Sequence, residues 1–170
     1  GYKQAEKCIH LPYALGMLPD GKMSSREGNV ILFSKLRKEI IESIRSTHLG
    51  EHCKAWSRKE LDDTSHKIAV AAIKYGMLNQ DSNKNIVFSM DDWLVSEGDT
   101  GTYLVYAYVR IRSIGRKISR DVSPNVDFSL FKHPNEKKLL RQMLDFNETV
   151  FNAGEQFKPS MLARMLFDFS

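Results

Sequence analysis

The chain has 170 residues and a mass of 19.5 kDa, the size of one ordinary domain or of two small ones. Hydrophobic residues make up 42% of it, enough for a packed core, which excludes a disordered tail. No apolar run approaches the ~20 residues of a membrane span, so we expect no membrane partner. The 2 cysteines exclude a disulfide framework, and with no signal pattern present we expect a cytoplasmic location, with an organelle as the alternative.

The net charge of +4 hides an uneven distribution of charge along the chain. Residues 103–141 contain nine basic and three acidic side chains, a local charge of +6. Residues 61–102 contain three basic and seven acidic side chains, a local charge of −4. A concentrated cationic stretch attracts polyanions better than the same charge spread evenly. The segment 103–141 is therefore a candidate surface for nucleic acid.

The first part of the chain is predicted to contain two short strands around a polar loop. Apolar runs at 8–11 and 30–33 are rich in β-branched residues, and the stretch between them is rich in glycine and proline. His10 then lies on the first strand, where a histidine packed in the core is the expected environment. A small α/β piece is thus expected to precede the rest of the chain.

From residue 34 onward the apolar period is helical, and the predicted fold class is mainly α. Leu36, Ile40, Ile41 and Ile44 share one face of the first helix. The apolar stripe of the second helix consists of Leu61, Ile68, Ala71, Ala72 and Tyr75. The predicted helix starts are, in chain order, Ser34, Ser57 with a capping box to Glu60, Ser89 or Asp91, Thr102, Pro134 and Pro159. The helix that begins at Pro134 is expected to continue through Val150.

The loop at residues 21–29, GKMSSREGN, holds the densest chemistry in the sequence. Its glycines allow the backbone to approach a ligand closely, and exposed N–H groups in such turns hold anions. Lys22 and Arg26 can meet phosphate charge, and the hydroxyls of Ser24 and Ser25 can donate to phosphate oxygens. Composition alone also fits an ordinary solvated turn, so both interpretations stay open at this point.

Residues 22–29 resemble the mobile KMSKS signature of class I aminoacyl-tRNA synthetases, which closes over ATP during amino-acid activation. Ser25 stands where the second lysine usually lies, and Arg26 stands where the last serine or threonine lies. This form is most similar to arginyl-tRNA synthetases. The resemblance assigns catalytic roles to Lys22, Ser24, Ser25 and Arg26, and contacts with the nucleotide to Gly21, Lys22, Met23 and Ser24.

A helix over about 103–120 is predicted to have an apolar face and a cationic face. The apolar stripe consists of Leu104, Ala107, Tyr108, Ile111, Gly115 and Ile118. The opposite face carries Arg110, Arg112, Arg116, Lys117 and Arg120, with Tyr106 and Val109 among them. An aromatic ring among arginines can stack on an unpaired base while the guanidinium groups hold phosphates. A solvated face that keeps the protein soluble is the alternative.

Three further segments resemble arginyl-tRNA synthetases in the same order. Residues 97–114, EGDTGTYLVYAYVRIRSI, are similar to the segment that links the catalytic and anticodon-binding domains, with Asp99 and Thr102 in place of the usual asparagine and proline. Residues 72–75 resemble the AVKY helix, and 157–169 resemble the C-terminal helix. The tRNA contacts that this resemblance implies are Tyr103, Tyr106, Arg110, Arg112, Arg116 and Lys117.

The resemblance implies the end of a Rossmann-type catalytic domain over 1–56 and a helical, DALR-type anticodon-binding domain over 57–170. The parent enzyme would join arginine to its tRNA with ATP and Mg²⁺, as a monomer. We expect this chain to be a piece that begins and ends inside structural units and is inactive alone. The alternatives are a class I synthetase of another specificity and a stand-alone helical RNA-binding module without catalysis.

His48, His52 and Cys53 are close enough in sequence to raise the question of a metal site. A fourth ligand at suitable spacing is missing, because His66 is an uncertain candidate. The segment 48–52, HLGEH, also resembles the HIGH motif of class I synthetases superficially. It has one residue too many and follows the KMSKS-like loop instead of preceding it, so we expect neither a metal site nor a nucleotide motif there.

Overall fold

The computed structural model describes residues 1–19, 21–22, 30, 32–52, 54–118 and 125–170, with Lys22 described by its backbone. The strands are β1 (Gly16–Leu18), β2 (Gly21–Lys22) and β3 (Ile86–Val87). The helices are α1 (Phe33–Thr47), α2 (Arg58–Leu78), α3 (Met90–Trp93), α4 (Gly101–Lys117), α5 (Pro134–Leu144), α6 (Phe146–Glu155) and α7 (Ser160–Phe169). The predicted mainly helical fold is confirmed. Within these residues, no helix is both long and apolar enough to cross a bilayer.

The core lies between α1 and α2. Ile40 and Ile44 of α1 are 0% exposed, and they pack in one cluster with Ala69 and Ala72 of α2. Both helices therefore bury the apolar stripes that the sequence predicts. Burial of a whole isoleucine side chain contributes about 2 kcal/mol, so this contact stabilises the pairing of α1 with α2.

Most of the predicted helix starts are confirmed, and those of α1 and α4 differ. Ser57 accepts a hydrogen bond from the Glu60 N–H at 3.3 Å, and the Glu60 carboxylate accepts one from the Ser57 N–H at 2.8 Å, which is a complete capping box. Ser89 caps α3. The prediction that Ser34 caps α1 is wrong, because α1 begins at Phe33 without a side-chain cap.

The strands lie elsewhere than the sequence predicts. Residues 8–11 form no strand, His10 is exposed, and Phe33 is the first residue of α1, so both predicted strands are wrong. The sheet instead has the order β2-β1-β3, with β1 antiparallel to β2 and parallel to β3. In the parallel pair Gly16 lies opposite Ile86, a partner far away in the sequence. Such a pairing cannot be read from the local pattern.

The predicted long helix after Pro134 is divided into α5 and α6 at Asp145. The Thr149 N–H still donates to the Asp145 carbonyl at 2.9 Å, so the two helices follow each other without a loop. The Thr149 hydroxyl donates to the same carbonyl at 2.9 Å, a side-chain bond of the kind that bends helices. Continuity through Val150 is therefore wrong, although both halves are helical.

Candidate nucleic-acid interface

Thr100 sets the start of α4, the helix that carries the predicted cationic face. Thr100 has an extended backbone, and its hydroxyl accepts a hydrogen bond from the Tyr103 N–H at 3.1 Å. Thr100 is therefore the N-cap, and the prediction that Thr102 caps this helix is wrong. Thr102 is buried, and its hydroxyl donates to the Val95 carbonyl. The first turn of α4 is thus fixed to the segment that precedes it.

A glycine allows α4 to approach α2 closely. A Cβ atom on Gly101 would lie 2.3 Å from the Ala71 carbonyl oxygen and 2.9 Å from the Ala72 Cα. Both atoms belong to the backbone of α2 and cannot move aside like the end of a side chain. Only glycine fits this contact, and it determines where α4 begins on the surface of α2.

The Tyr75 hydroxyl joins three elements. Tyr75 is a buried residue of α2, and its hydroxyl donates to the carboxylate of Asp99, just before α4. The same hydroxyl lies 3.3 Å from the Ala163 carbonyl of α7. Burial, together with the neighbouring Asp99 carboxylate, raises the pKa of Tyr75 above its ordinary value, so the hydroxyl stays a neutral donor. The sequence placed Tyr75 on an apolar stripe, and no signal in it marked the distant partner.

The predicted cations of α4 are exposed. Arg110, Arg112, Arg116 and Lys117 all face solvent, and none forms an ion pair with the part of the chain that the structure describes. Tyr106 is 49% exposed, and Arg110 Nη1 donates to its hydroxyl at 3.2 Å. The guanidinium carbon lies 5.5 Å from the ring centroid, so ring and cation form one surface. Arg120 lies outside the described residues.

The apolar stripe of α4 is only partly covered. Leu104 and Ala107 are half-buried, whereas Ile111 is 56% exposed and Ile118 is 53% exposed. The prediction of a stripe that faces the core is therefore wrong for the C-terminal half of α4. The described residues leave the apolar side chains of that half largely exposed.

Tyr103 lies against α7. Its ring makes an edge contact with Phe167, with the centroids 5.9 Å apart. The structure thus brings Tyr106 and Arg110 into direct contact and places Tyr103 in a packing role. A contact between Tyr103 and tRNA stays a prediction.

The predicted nucleotide loop falls mostly outside the described residues. Met23, Ser24, Ser25 and Arg26 are not among them. Gly21 has a φ of +137°, and among the described residues no atom outside its chain neighbours lies within 4 Å of the Cβ position that another residue would occupy there. This open, glycine-specific backbone fits the close approach of a ligand. Gly21 and the backbone of Lys22 cannot hold a nucleotide by themselves.

The histidines that raised the question of a metal have other partners. The His48 ring nitrogens lie 2.8 Å from the Leu94 carbonyl and 3.0 Å from the Ser96 hydroxyl. The His52 ring stacks on Trp56. Among the residues that the structure describes, His, Cys, Asp and Glu form no group of three or more that could hold a metal ion. Cys53 lies outside those residues.

Comparison with known proteins leads to the family that the sequence resembles, both through a domain model and through sequence similarity. A model of the DALR anticodon binding domain matches residues 104–170. The arginine–tRNA ligase of Bdellovibrio bacteriovorus is 39% identical over 168 residues, which cover 99% of this chain and 29% of that protein. The arginine–tRNA ligase of Bacteroides fragilis is 32% identical, with 99% and 29% covered.

A solved structure agrees over nearly the whole chain. The arginyl-tRNA synthetase of Thermus thermophilus superposes with a TM-score of 0.84 at 31% identity, covering 97% of this chain and 26% of that one. This chain belongs to the arginine–tRNA ligase family. The arginyl-tRNA synthetase of Plasmodium falciparum gives a TM-score of 0.73 at 26% identity, with 91% of this chain covered.

Within the family, this chain corresponds to a limited part of its relatives. It spans about 29% of the length of the curated arginine–tRNA ligases that it matches. The matched anticodon binding domain begins inside α4, so α1, α2, α3 and the sheet all precede it. The Tyr75 hydroxyl of α2, which lies 3.3 Å from the Ala163 carbonyl, therefore connects this domain to the helices before it, and the Gly101 contact fixes the first turn of α4 just ahead of the matched region. The boundary at residue 57 stays a prediction.

Proposed function

We propose that this chain is the C-terminal part of an arginine–tRNA ligase and that it holds the tRNA through α4. The whole enzyme would join arginine to its tRNA with ATP. The observation that carries this proposal is the exposed Tyr106–Arg110 pair, which lies in the region matched by the anticodon binding domain. The named relatives, all arginine–tRNA ligases, support arginine over another amino acid.

The cationic face of α4 would supply most of the binding free energy. Arg112, Arg116 and Lys117 extend into solvent without competing acidic partners among the described residues, so they are free to meet phosphates. Each neutralised phosphate releases a counterion, which makes binding depend on salt. Tyr106 can stack on an unpaired base while Arg110 holds its charge beside the ring. Phosphate contacts position the RNA, and stacking favours single-stranded nucleotides.

The start of the chain would contribute to the nucleotide site of the whole enzyme. By the family resemblance, Lys22 and the hydroxyls of Ser24 and Ser25 would stabilise the phosphates of ATP, with Arg26 assisting, beside Gly21 and Met23. In the whole enzyme the arginine carboxylate would displace pyrophosphate from the α-phosphate of ATP, and Mg²⁺ would offset the charge of that leaving group. Gly21 fits this role through its open, positive-φ backbone. A cytoplasmic location and a monomeric enzyme stay predictions.

The test is a fluorescence titration of the 170-residue chain with a labelled tRNA transcript that carries an arginine anticodon, at several salt concentrations. The double variant Arg112→Ala plus Arg116→Ala is expected to weaken binding. Its slope of log K against log salt should decrease in magnitude by about 1–2, close to one counterion per lost phosphate contact.

The matched control is Lys35→Ala plus Lys38→Ala on α1, which removes the same charge. Both lysines already pair with glutamates, Lys35 with Glu39 at 3.8 Å and Lys38 with Glu42 at 3.9 Å. Little change is expected in this control. If the double arginine variant keeps both the affinity and the slope of the unaltered chain, α4 is not an RNA surface and the proposal is wrong.

A further inference from the structure

A groove of about 660 Å³ lies between α4, α2 and the turn before α2. Tyr106, the base-stacking residue of the proposed function, lines one side of it, and Trp56 and Lys67 line the other. This volume is within the range of about 300–1,000 Å³ that is usual for small-ligand sites. The groove is therefore continuous with the proposed RNA surface of α4 and large enough for one nucleotide.

Two parallel rings form one wall of the groove. The imidazole of His52 stacks on the indole of Trp56, with centroids 4.4 Å apart and planes inclined by 9°. Trp56 is half-buried and packs against the α1–α2 core, which holds it in place. His52 is exposed. The pair thus presents a flat aromatic platform backed by rigid structure, which is the arrangement that single-stranded RNA sites use for bases.

The charges around the groove are those that RNA needs. Lys67 is exposed and, in the described part of the chain, takes part in no ion pair. Arg110 lies over the Tyr106 ring at the same edge. No aspartate or glutamate is among the described residues that line this groove, although residues 61–102 carry a local charge of −4. This favours a polyanion over an acidic or neutral peptide segment as the occupant.

Among the described residues, three of the five hydroxyls that line the groove, those of Ser96, Thr102 and Tyr106, have partners within the protein. Ser96 Oγ lies 3.0 Å from a His48 ring nitrogen, and the Thr102 hydroxyl donates to the Val95 carbonyl. These bonds take up part of the capacity of the groove to read the edge of a base. Contact in the groove would then come from stacking, which accepts any base.

We infer that this groove binds one unpaired nucleotide of the tRNA, with its base against the His52–Trp56 platform and its phosphate near Lys67. This inference rests on the proposed function and adds a second base-binding position to Tyr106, outside the matched anticodon binding domain. The site is expected to hold the RNA without selecting the base. Base selection would then have to occur elsewhere on the protein.

The chain provides its own spectroscopic probe, because it has 2 tryptophans in different surroundings. Trp93 makes an edge contact with Phe88 at 4.8 Å and packs on Gly76, away from the groove lining. Titration of the full chain with the tRNA transcript should quench tryptophan emission. In Trp56→Phe, the emission that remains comes from Trp93, and the quenching should be lost.

Variants measured for tRNA affinity distinguish the contribution of stacking from that of charge. His52→Ala should weaken tRNA binding about fivefold or more and leave the salt slope unchanged, because it removes a stacking surface and no cation. Lys67→Ala should lower the magnitude of the salt slope by about one. His10→Ala is the matched control, since His10 is exposed and does not line this groove. Circular dichroism of each variant checks that the fold is retained.

The outcomes distinguish this inference from the proposed function. If tRNA binds and the emission of Trp56 does not change, or if His52→Ala binds as tightly as the unaltered chain, the groove holds no nucleotide and the inference is wrong. A protein segment as the natural occupant would give that same result. If the unaltered chain does not bind tRNA at all, the proposed function itself fails.

Discussion

The same substitution at two glycines of α4 should have opposite effects on stability. Gly101→Ala places a methyl group 2.3 Å from the Ala71 carbonyl oxygen, a distance at which the backbone of α2 or α4 must move. Gly115→Ala places a methyl group where, in the described part of the chain, no atom beyond the nearby backbone of α4 itself lies within 4 Å. Both glycines are in the same helix with no positive φ, so alanine fits the backbone at both positions.

The expected magnitudes follow from these contacts. Overpacking costs about 1–3 kcal/mol, and a contact with backbone atoms belongs in the upper part of that range. Replacing glycine by alanine in a compatible helical position stabilises by about 0.4–1 kcal/mol. Gly101→Ala should therefore lower the free energy of unfolding by about 2 kcal/mol. Gly115→Ala should raise it by about 0.5–1 kcal/mol.

Urea denaturation of both variants, followed by circular dichroism in one buffer, measures the difference directly. In a thermal scan the two midpoints should differ by roughly 5–10 °C, because 1 kcal/mol corresponds to about 2–4 °C in a chain of this size. If Gly101→Ala is as stable as Gly115→Ala, α4 does not rest on α2 in the way described, and the argument from the close contact fails.

Other predictions concern hydrogen bonds. Tyr75→Phe should destabilise the fold by about 1–3 kcal/mol in urea denaturation, because the Asp99 carboxylate loses its donor, while the exposed Tyr2→Phe should have no effect. Since the pKa of Tyr75 is raised in the fold, the native state keeps a proton that the unfolded state releases above pH ~10. Stability should fall as pH rises beyond that value, and Tyr75→Phe should lose part of this fall; parallel curves for both proteins would contradict the assignment. Ser57→Ala should cost about 1 kcal/mol through loss of the cap on α2. An NMR titration should show the lowered pKa of Glu60 returning towards its ordinary value; an unchanged pKa would mean that the Ser57 hydroxyl does not cause the shift.

The helices could be predicted because their signals are local. The stripe of α1 and the capping box at Ser57 each depend on residues within one or two turns of each other, and both are present in the structure. The small sheet could not be predicted, because β1 pairs with β3 across the whole of α1 and α2. A short apolar run such as 8–11 reads as a strand whether or not it has a partner.

The candidate site could likewise be predicted only where its signals are local. The cations of α4 and Tyr106 could be named from the sequence, since charge pattern and family resemblance both mark them. The contact between Tyr75 and Asp99 could not, because it forms only when α2 packs beside the start of α4. The N-cap of α4 is Thr100, whereas the sequence predicts Thr102. Both residues are threonines, and only the extended backbone of Thr100 in the structure decides between them.

The shared core of α1 and α2 bears on how this protein can be dissected. A cut at residue 57 would leave Ile40 and Ile44 on one piece and Ala69 and Ala72 on the other. Each piece would then expose an apolar face to water, with the loss of contacts that neither could replace. The smallest unit that keeps its interior intact begins no later than Phe33, well before the matched anticodon binding domain. In this part of the protein, the limits of the matched domain therefore differ from the limits of the unit that keeps its core together.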